Sequence, residues 1–130
     1  MRKKTDATGK VKTHKDLDAW NKAMDLVQSV YAVTSKYPKE ETYGLTLQTR
    51  RSAVSIPSNI AAGATRNSKK EFIQYLHIAL GSLAELETQL LLAHRLNFGG
   101  NDEDLSQVSQ LRQILLGLLR YLKGNAATRE

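Results

Sequence analysis

Cysteine is absent from the 130 residues, which excludes disulfides, thiolate metal sites and cysteine nucleophiles. A reducing compartment is compatible with that absence, and the expected location is the cytoplasm. Long apolar runs are missing too. The longest stretch, Ile114 to Leu119, spans six residues and contains Gly117, far short of the roughly 20 apolar residues a membrane-crossing helix needs. The N-terminus is basic, but no apolar segment follows Lys12, so neither a signal peptide nor a membrane span is expected. There is no strand-like alternation and no internal repeat.

Catalytic patterns are also missing. Neither H-E-x-x-H nor the Glu-x-x-His pair of di-iron bundles occurs, and His77 and His94 lie 17 residues apart, about 25 Å on one helix. Ser52, Ser55, Ser58 and Ser82 sit in no G-x-S-x-G elbow. The glycines form neither G-x-x-x-x-G-K nor G-x-G-x-x-G. Glu85 and Glu87 are two residues apart and diverge on a helix, which makes a poor acid–base pair. The expectation is a protein that is not an enzyme and holds no metal or cofactor.

What is present is helical period. From Phe72, apolar or small residues recur at Leu76, Ala79, Leu83, Leu86, Leu90 and Ala93, a seam on one face of a long helix. Beside it runs a second stripe, Ile73, Leu80, Ala84 and Leu91, with Glu87 next to it expected to pair with a basic group on a neighbouring helix or subunit. Ile78, Leu92 and Leu96 point away from both stripes. A helix apolar over so much of its circumference is expected to be covered on more than one side, and self-association would supply the cover. Ile73, Leu80, Ala84, Glu87 and Leu91 are therefore the expected oligomer interface.

Residues 1–14 lack periodicity and are expected to be a flexible basic tail. A single bundle domain is expected over 15–124, with a short tail at 125–130. The first helix is expected from near Asp16, with Leu17, Trp20, Met24, Val27, Tyr31 and Thr34 inward, ending near Lys36 because Tyr37 precedes a proline. Pro38 suits the start of a second helix with Glu40 and Glu41 in its first turn and with Leu45, Thr49, Ser52, Ile56, Ile60 and Gly63 inward. Pro57 is expected to kink it or split it after Ile56, the alternative being that it ends there. Ser68 and Glu71 form a capping box for the third helix, which is expected to run to about Leu96 or Asn97, stopped by Gly99 and Gly100. Asn101 or Asp102 caps a fourth helix carrying Leu105, Val108, Leu111, Leu115, Leu118 and Leu122 up to Gly124. Four helices with short connections predict an all-α, up-down-up-down antiparallel four-helix bundle.

The net charge of +6 is uneven. Residues 1–15 hold six cations and one acid, leaving about +1 for the rest, yet residues 36–70 hold seven cations and two acids. Arg50, Arg51, Arg66, Lys69 and Lys70 are the expected phosphate contacts for RNA or DNA, strengthened if several copies share one field. The tyrosines and Trp20 mostly fall on or near apolar faces and do not suggest a base-stacking platform.

The segments KDLDAWNKAMDLV from Lys15, YPKEETYGLTLQTRRSAVSIPSNIAAG from Tyr37 to Gly63, and KEFIQYLHIALGSLAELETQLLLAHRL from Lys70 to Leu96 resemble the 23S rRNA intervening-sequence protein family of bacterial four-helix-bundle proteins. S-I-P-S-N-I-A and G-S-L-A-E-L-E-T-Q-L are its specific segments, and the resemblance covers about residues 15–123. It implies an antiparallel bundle assembling as a homopentameric barrel, usually with no enzymatic activity and with a poorly defined role. Some members are encoded within insertions in 23S rRNA genes. The family is also similar to the accessory variability determinant of diversity-generating retroelements, a basic pentamer that binds reverse transcriptase and nucleic acid. The alternative expectation is thus a protein-interaction adaptor docking a partner such as a reverse transcriptase. One departure is Ala62, where members commonly carry Glu, so any contact that carboxylate makes is missing here.

Overall fold

The computed structural model describes residues 13–14, 17–100 and 102–124, and among them it contains helices and no strand. The four α-helices are α1 (Asp18–Thr34), α2 (Leu45–Ala64), α3 (Lys69–Arg95) and α4 (Asp102–Lys123). Each touches two others: α1 meets α2 and α4, and α3 meets α2 and α4. The ring so formed encloses one core, whose fully buried side chains include Leu26, Ile56, Ile60, Leu76, Leu83, Leu86, Leu111 and Leu115. None of these helices is long and apolar enough to cross a membrane.

The seam read on α3 is the inward face. Leu76, Ala79, Leu83, Leu86, Leu90 and Ala93 are all buried, and Phe72 packs at its edge. Ser68 caps the helix as its sequence predicts, its side chain accepting the Glu71 N–H at 3.2 Å. The helix ends at Arg95 with Leu96 as its C-cap, about where expected, but the residue that makes the stop is not a glycine. Asn97 adopts the left-handed conformation (φ 60°), and the Phe98 N–H bonds to the Ala93 carbonyl while the Asn97 N–H bonds to that of His94. This is a Schellman closure with asparagine in the usual glycine place, so the helix ends before Gly99 and Gly100 are reached.

α1 corrects the expected face. Ala19, Ala23, Leu26, Val30 and Val33 point inward, whereas Met24 and Tyr31, read as core, are 42% and 43% exposed. Leu17 and Thr34 are buried as expected, and Trp20 and Val27 lie at the edge. Small alanines let α1 approach its neighbours closely, and bulk alone pointed to the wrong stripe. Asp16 lies outside the described residues.

α2 does not begin at Pro38. That proline precedes a single 3-10 turn, Lys39–Glu41, and α2 starts at Leu45 after Gly44. Glu41, expected inside the first turn, instead caps the helix from outside: its Oε1 accepts the Leu45 N–H at 3.0 Å, satisfying one of the orphan donors of a helix start. The expected inward set is buried throughout, together with Thr46, Ala53 and Pro57. α2 neither splits nor ends at Pro57 but runs on to Ala64. Beside the proline, Ser55 and Ser82 share a 2.8 Å hydrogen bond across to α3, and Asn59 Nδ2 donates to the Ser55 carbonyl at 2.8 Å.

On α4, Val108, Leu111 and Leu115 are buried as read, joined by Leu119, while Leu105, Leu118 and Leu122 pack at the margin. Asp102 is the first helical residue rather than a cap, and Asn101 lies outside the described residues. Gly124, with φ +78°, closes this helix.

Candidate nucleic-acid interface

The five cations expected to contact phosphates fall into two groups. Arg50 and Arg51 lie near the start of α2, and Arg66, Lys69 and Lys70 surround the α2–α3 corner. The 15 residues from Arg51 to Arg66 correspond to about 22 Å along a helix axis, so the two groups form separate surfaces.

Arg50 is committed within the fold. Its Nε donates to Thr34 Oγ1 at 2.8 Å, its Nη2 approaches the Tyr31 carbonyl at 3.4 Å, and its guanidinium carbon lies 4.4 Å from the Tyr31 ring centroid. Thr34 can accept because its own hydroxyl proton goes to the Val30 carbonyl at 2.7 Å. α1 has no basic residue in its last turn, and Arg50 brings a positive charge from α2 to those terminal carbonyls, where the helix dipole favours it. Arg51 next to it is exposed.

At the corner, Arg66 is exposed and stacks 5.0 Å from the Tyr75 ring centroid, its Nη2 donating to the Tyr75 hydroxyl at 2.7 Å. Stacking of this kind orients a guanidinium and leaves its other N–H groups for a ligand. Lys69 and Lys70 are the first two residues of α3 and both are exposed. Cations at a helix N-terminus oppose its dipole, so stability does not favour them there, and Glu71 is the sole acid in that turn. Gly63 lets α2 and α3 close on one another at this corner: a Cβ there would lie 2.7 Å from the Tyr75 Cβ.

The residues expected at an oligomer interface also divide. Ile73 and Leu80 are partly buried against the chain's own core, and Ala84 and Leu91 are exposed. Glu87 pairs within the chain, its Oε1 accepting from Arg112 Nη2 of α4 at 2.5 Å, with both side chains about one-third exposed. Ile78, Leu92 and Leu96 are 44–51% exposed. The aromatic partners Tyr31 and Tyr75 and the ion-pair partner Arg112 carry no local sequence signal, since each contact joins residues nine to 25 positions apart.

A polar cluster lies away from this corner, where the ends of α1 and α3 meet the start of α4. The Tyr37 ring packs 5.9 Å from Phe98, and its buried hydroxyl has no hydrogen-bond partner. Burial pushes the Tyr37 phenol up from its ordinary value, and the Asp104 charge adds to this. Burial likewise raises the Asp104 carboxyl, with Glu103 adding and His94 opposing. Among the described residues no group of three His, Asp or Glu is placed to hold a metal ion.

The family model described as 23S rRNA-intervening sequence protein matches residues 15–119. No curated protein matches the chain.

Proposed function

Because the chain belongs to the 23S rRNA-intervening sequence protein family, we propose that it is a non-enzymatic antiparallel helical bundle that assembles as a homopentamer and holds RNA or DNA by phosphate contact without reading bases. The observation that carries the nucleic-acid part is the corner of Arg66, Lys69 and Lys70, three exposed cations of which two stand where the helix dipole opposes them. Such contacts supply affinity and orientation rather than sequence choice. Self-association is supported by the apolar surface of α3, where Ile78, Leu91, Leu92 and Leu96 stay exposed in the single chain.

Two measurements test this. Light scattering of the purified protein should give a particle several times the 14.5 kDa chain mass, and a monomer at micromolar concentration contradicts the assembly. Filter binding across a salt series should show affinity that falls as salt rises. Absence of binding at low salt, or binding unchanged when Arg66, Lys69 and Lys70 all become alanine, contradicts phosphate contact.

A further inference from the structure

We propose, resting on the phosphate-binding reading above, that the nucleic-acid surface is one whole pole of the bundle and that Arg120, Tyr121 and Lys123 at the end of α4 belong to it. The first pole is defined by contacts. Arg50 near the start of α2 meets Thr34 at the end of α1, Tyr37 meets Phe98 after α3, and Gly100, just before α4, lies against Val33 and His94. The end of α1, the start of α2, the end of α3 and the start of α4 therefore share this pole. α4 leaves it and extends 22 residues, about 33 Å, so its last turn lies toward the other pole, with the start of α1 and the α2–α3 corner.

Charge separates along the same axis. The first pole is balanced, with Lys36, Lys39, Arg50, Arg51 and Arg95 against Glu40, Glu41, Asp102, Glu103 and Asp104. The second carries Lys22, Arg66, Lys69, Lys70, Arg120 and Lys123, all exposed, against Asp18 and Glu71. Counting along the chain conceals this, because residues 71–130 are net acidic, while Asp102, Glu103 and Asp104 lie at the opposite end of α4 from Arg120 and Lys123. Like charges gathered on one end raise the local potential toward a polyanion.

Tyr121 gives the surface an aromatic. It is 79% exposed on the same last turn as Arg120 and Lys123, whereas Tyr75 on α3 is already occupied by Arg66. An exposed ring on the same helical turn as two cations suits a single-stranded nucleic acid, whose unpaired bases can stack while its phosphates meet the charges. The occupant proposed is therefore single-stranded RNA or DNA lying across α4's last turn and the α2–α3 corner.

The experiment uses the full chain and a fluorescently labelled oligouridylate, with anisotropy measured between about 50 and 200 mM salt. Replacing Arg120 and Lys123 together by alanine should lower the slope of log affinity against log salt by more than about 1, since each lost single-strand contact removes about 0.7. Tyr121→Ala should weaken binding about fivefold or more at unchanged slope, and Tyr121→Phe should retain it. Lys36→Ala with Lys39→Ala, both exposed at the balanced pole, should change neither. All these residues are exposed, and circular dichroism checks each variant's fold. Binding that depends on Lys69 and Lys70 but ignores Arg120, Tyr121 and Lys123 refutes the pole and leaves the phosphate reading intact, as does binding lost with Lys36 and Lys39. Absence of binding to any nucleic acid, including the case where only phosphatidylglycerol vesicles are bound, refutes both.

Discussion

Arg50 on α2 lies over the ring of Tyr31 on α1, 4.4 Å from its centroid, while the same guanidinium bonds to Thr34. One side chain thus joins two helices through a cation–π contact, a hydrogen bond and a favourable meeting with a helix C-terminus. Arg50→Ala should cost about 1–2 kcal/mol in urea denaturation, summing modest terms of this kind. Arg50→Lys should not restore the loss, because an ammonium lacks the planar fork. Nucleic-acid affinity should stay within about twofold, since one screened charge far from the contact site contributes little. A large affinity loss at unchanged stability would place Arg50 in the binding surface instead.

Gly63 allows α2 and α3 to meet, and a methyl group there would overlap the Tyr75 Cβ and come within 2.9 Å of the Phe72 ring. Alanine gains about 1 kcal/mol of helix propensity, but forcing two packed helices apart costs typically 1–3 kcal/mol. Gly63→Ala should therefore destabilise, and a rise in melting temperature counts against the close approach. Gly81 is the control: it is exposed within α3 with nothing near a new Cβ. Gly81→Ala should stabilise by about 0.5–1 kcal/mol.

Asp104 links stability to pH. Its carboxyl is raised by burial and by Glu103, so the folded state favours the protonated form. The stabilisation this provides is complete below the unfolded carboxyl's pKa, about 3.9, and is lost as pH rises through the higher folded value. Asp104→Asn should remove that portion of the pH dependence and leave the protein more stable than the parent at neutral pH. Chemical denaturation from pH 4 to 7 checks it, and a parallel pair of profiles would rule the charge cost out. The Tyr37 phenol, raised chiefly by burial, follows the same sign at alkaline pH: its contribution holds below the unfolded value near 10 and fades as pH climbs through the folded one.

The Glu87–Arg112 pair joins α3 to α4 within one chain. A double-mutant cycle with Glu87→Gln and Arg112→Gln should give a coupling of about 0.5–1 kcal/mol, the range for partly exposed pairs. The mass of the assembly should not change, whereas dissociation of the particle on Arg112→Gln would show that the pair also supports contacts between copies.

Much of this fold was legible where one physical signal dominated. On α3 the alternating spacing of leucines identified the inward face, and the Ser68 hydroxyl behaves as its place before Glu71 predicts. α1 was misread because two faces compete there: Trp20, Met24 and Tyr31 are large, but the core accepts Ala19 and Ala23, whose small size permits close packing. The α2 boundary was hidden because Pro38 suits a helix start, while Glu41 caps a start four residues further along. The site was legible only in part. Arg66, Lys69 and Lys70 are neighbours in the chain and in space, but Arg50 reads as a free cation until Tyr31 and Thr34 are seen beside it.

By itself the sequence determined that this chain makes helices with apolar seams, that it lacks thiols, and that its charge is uneven, because period and composition are properties of neighbouring residues. Only the tertiary structure decided which cations face solvent together, since Arg120 and Lys123 reach the same pole as Lys69 and Lys70 through the lengths and directions of helices. It also decided which charges are already spent, because Arg50 and Glu87 find their partners on other helices, and distance along the chain carries no record of such contacts.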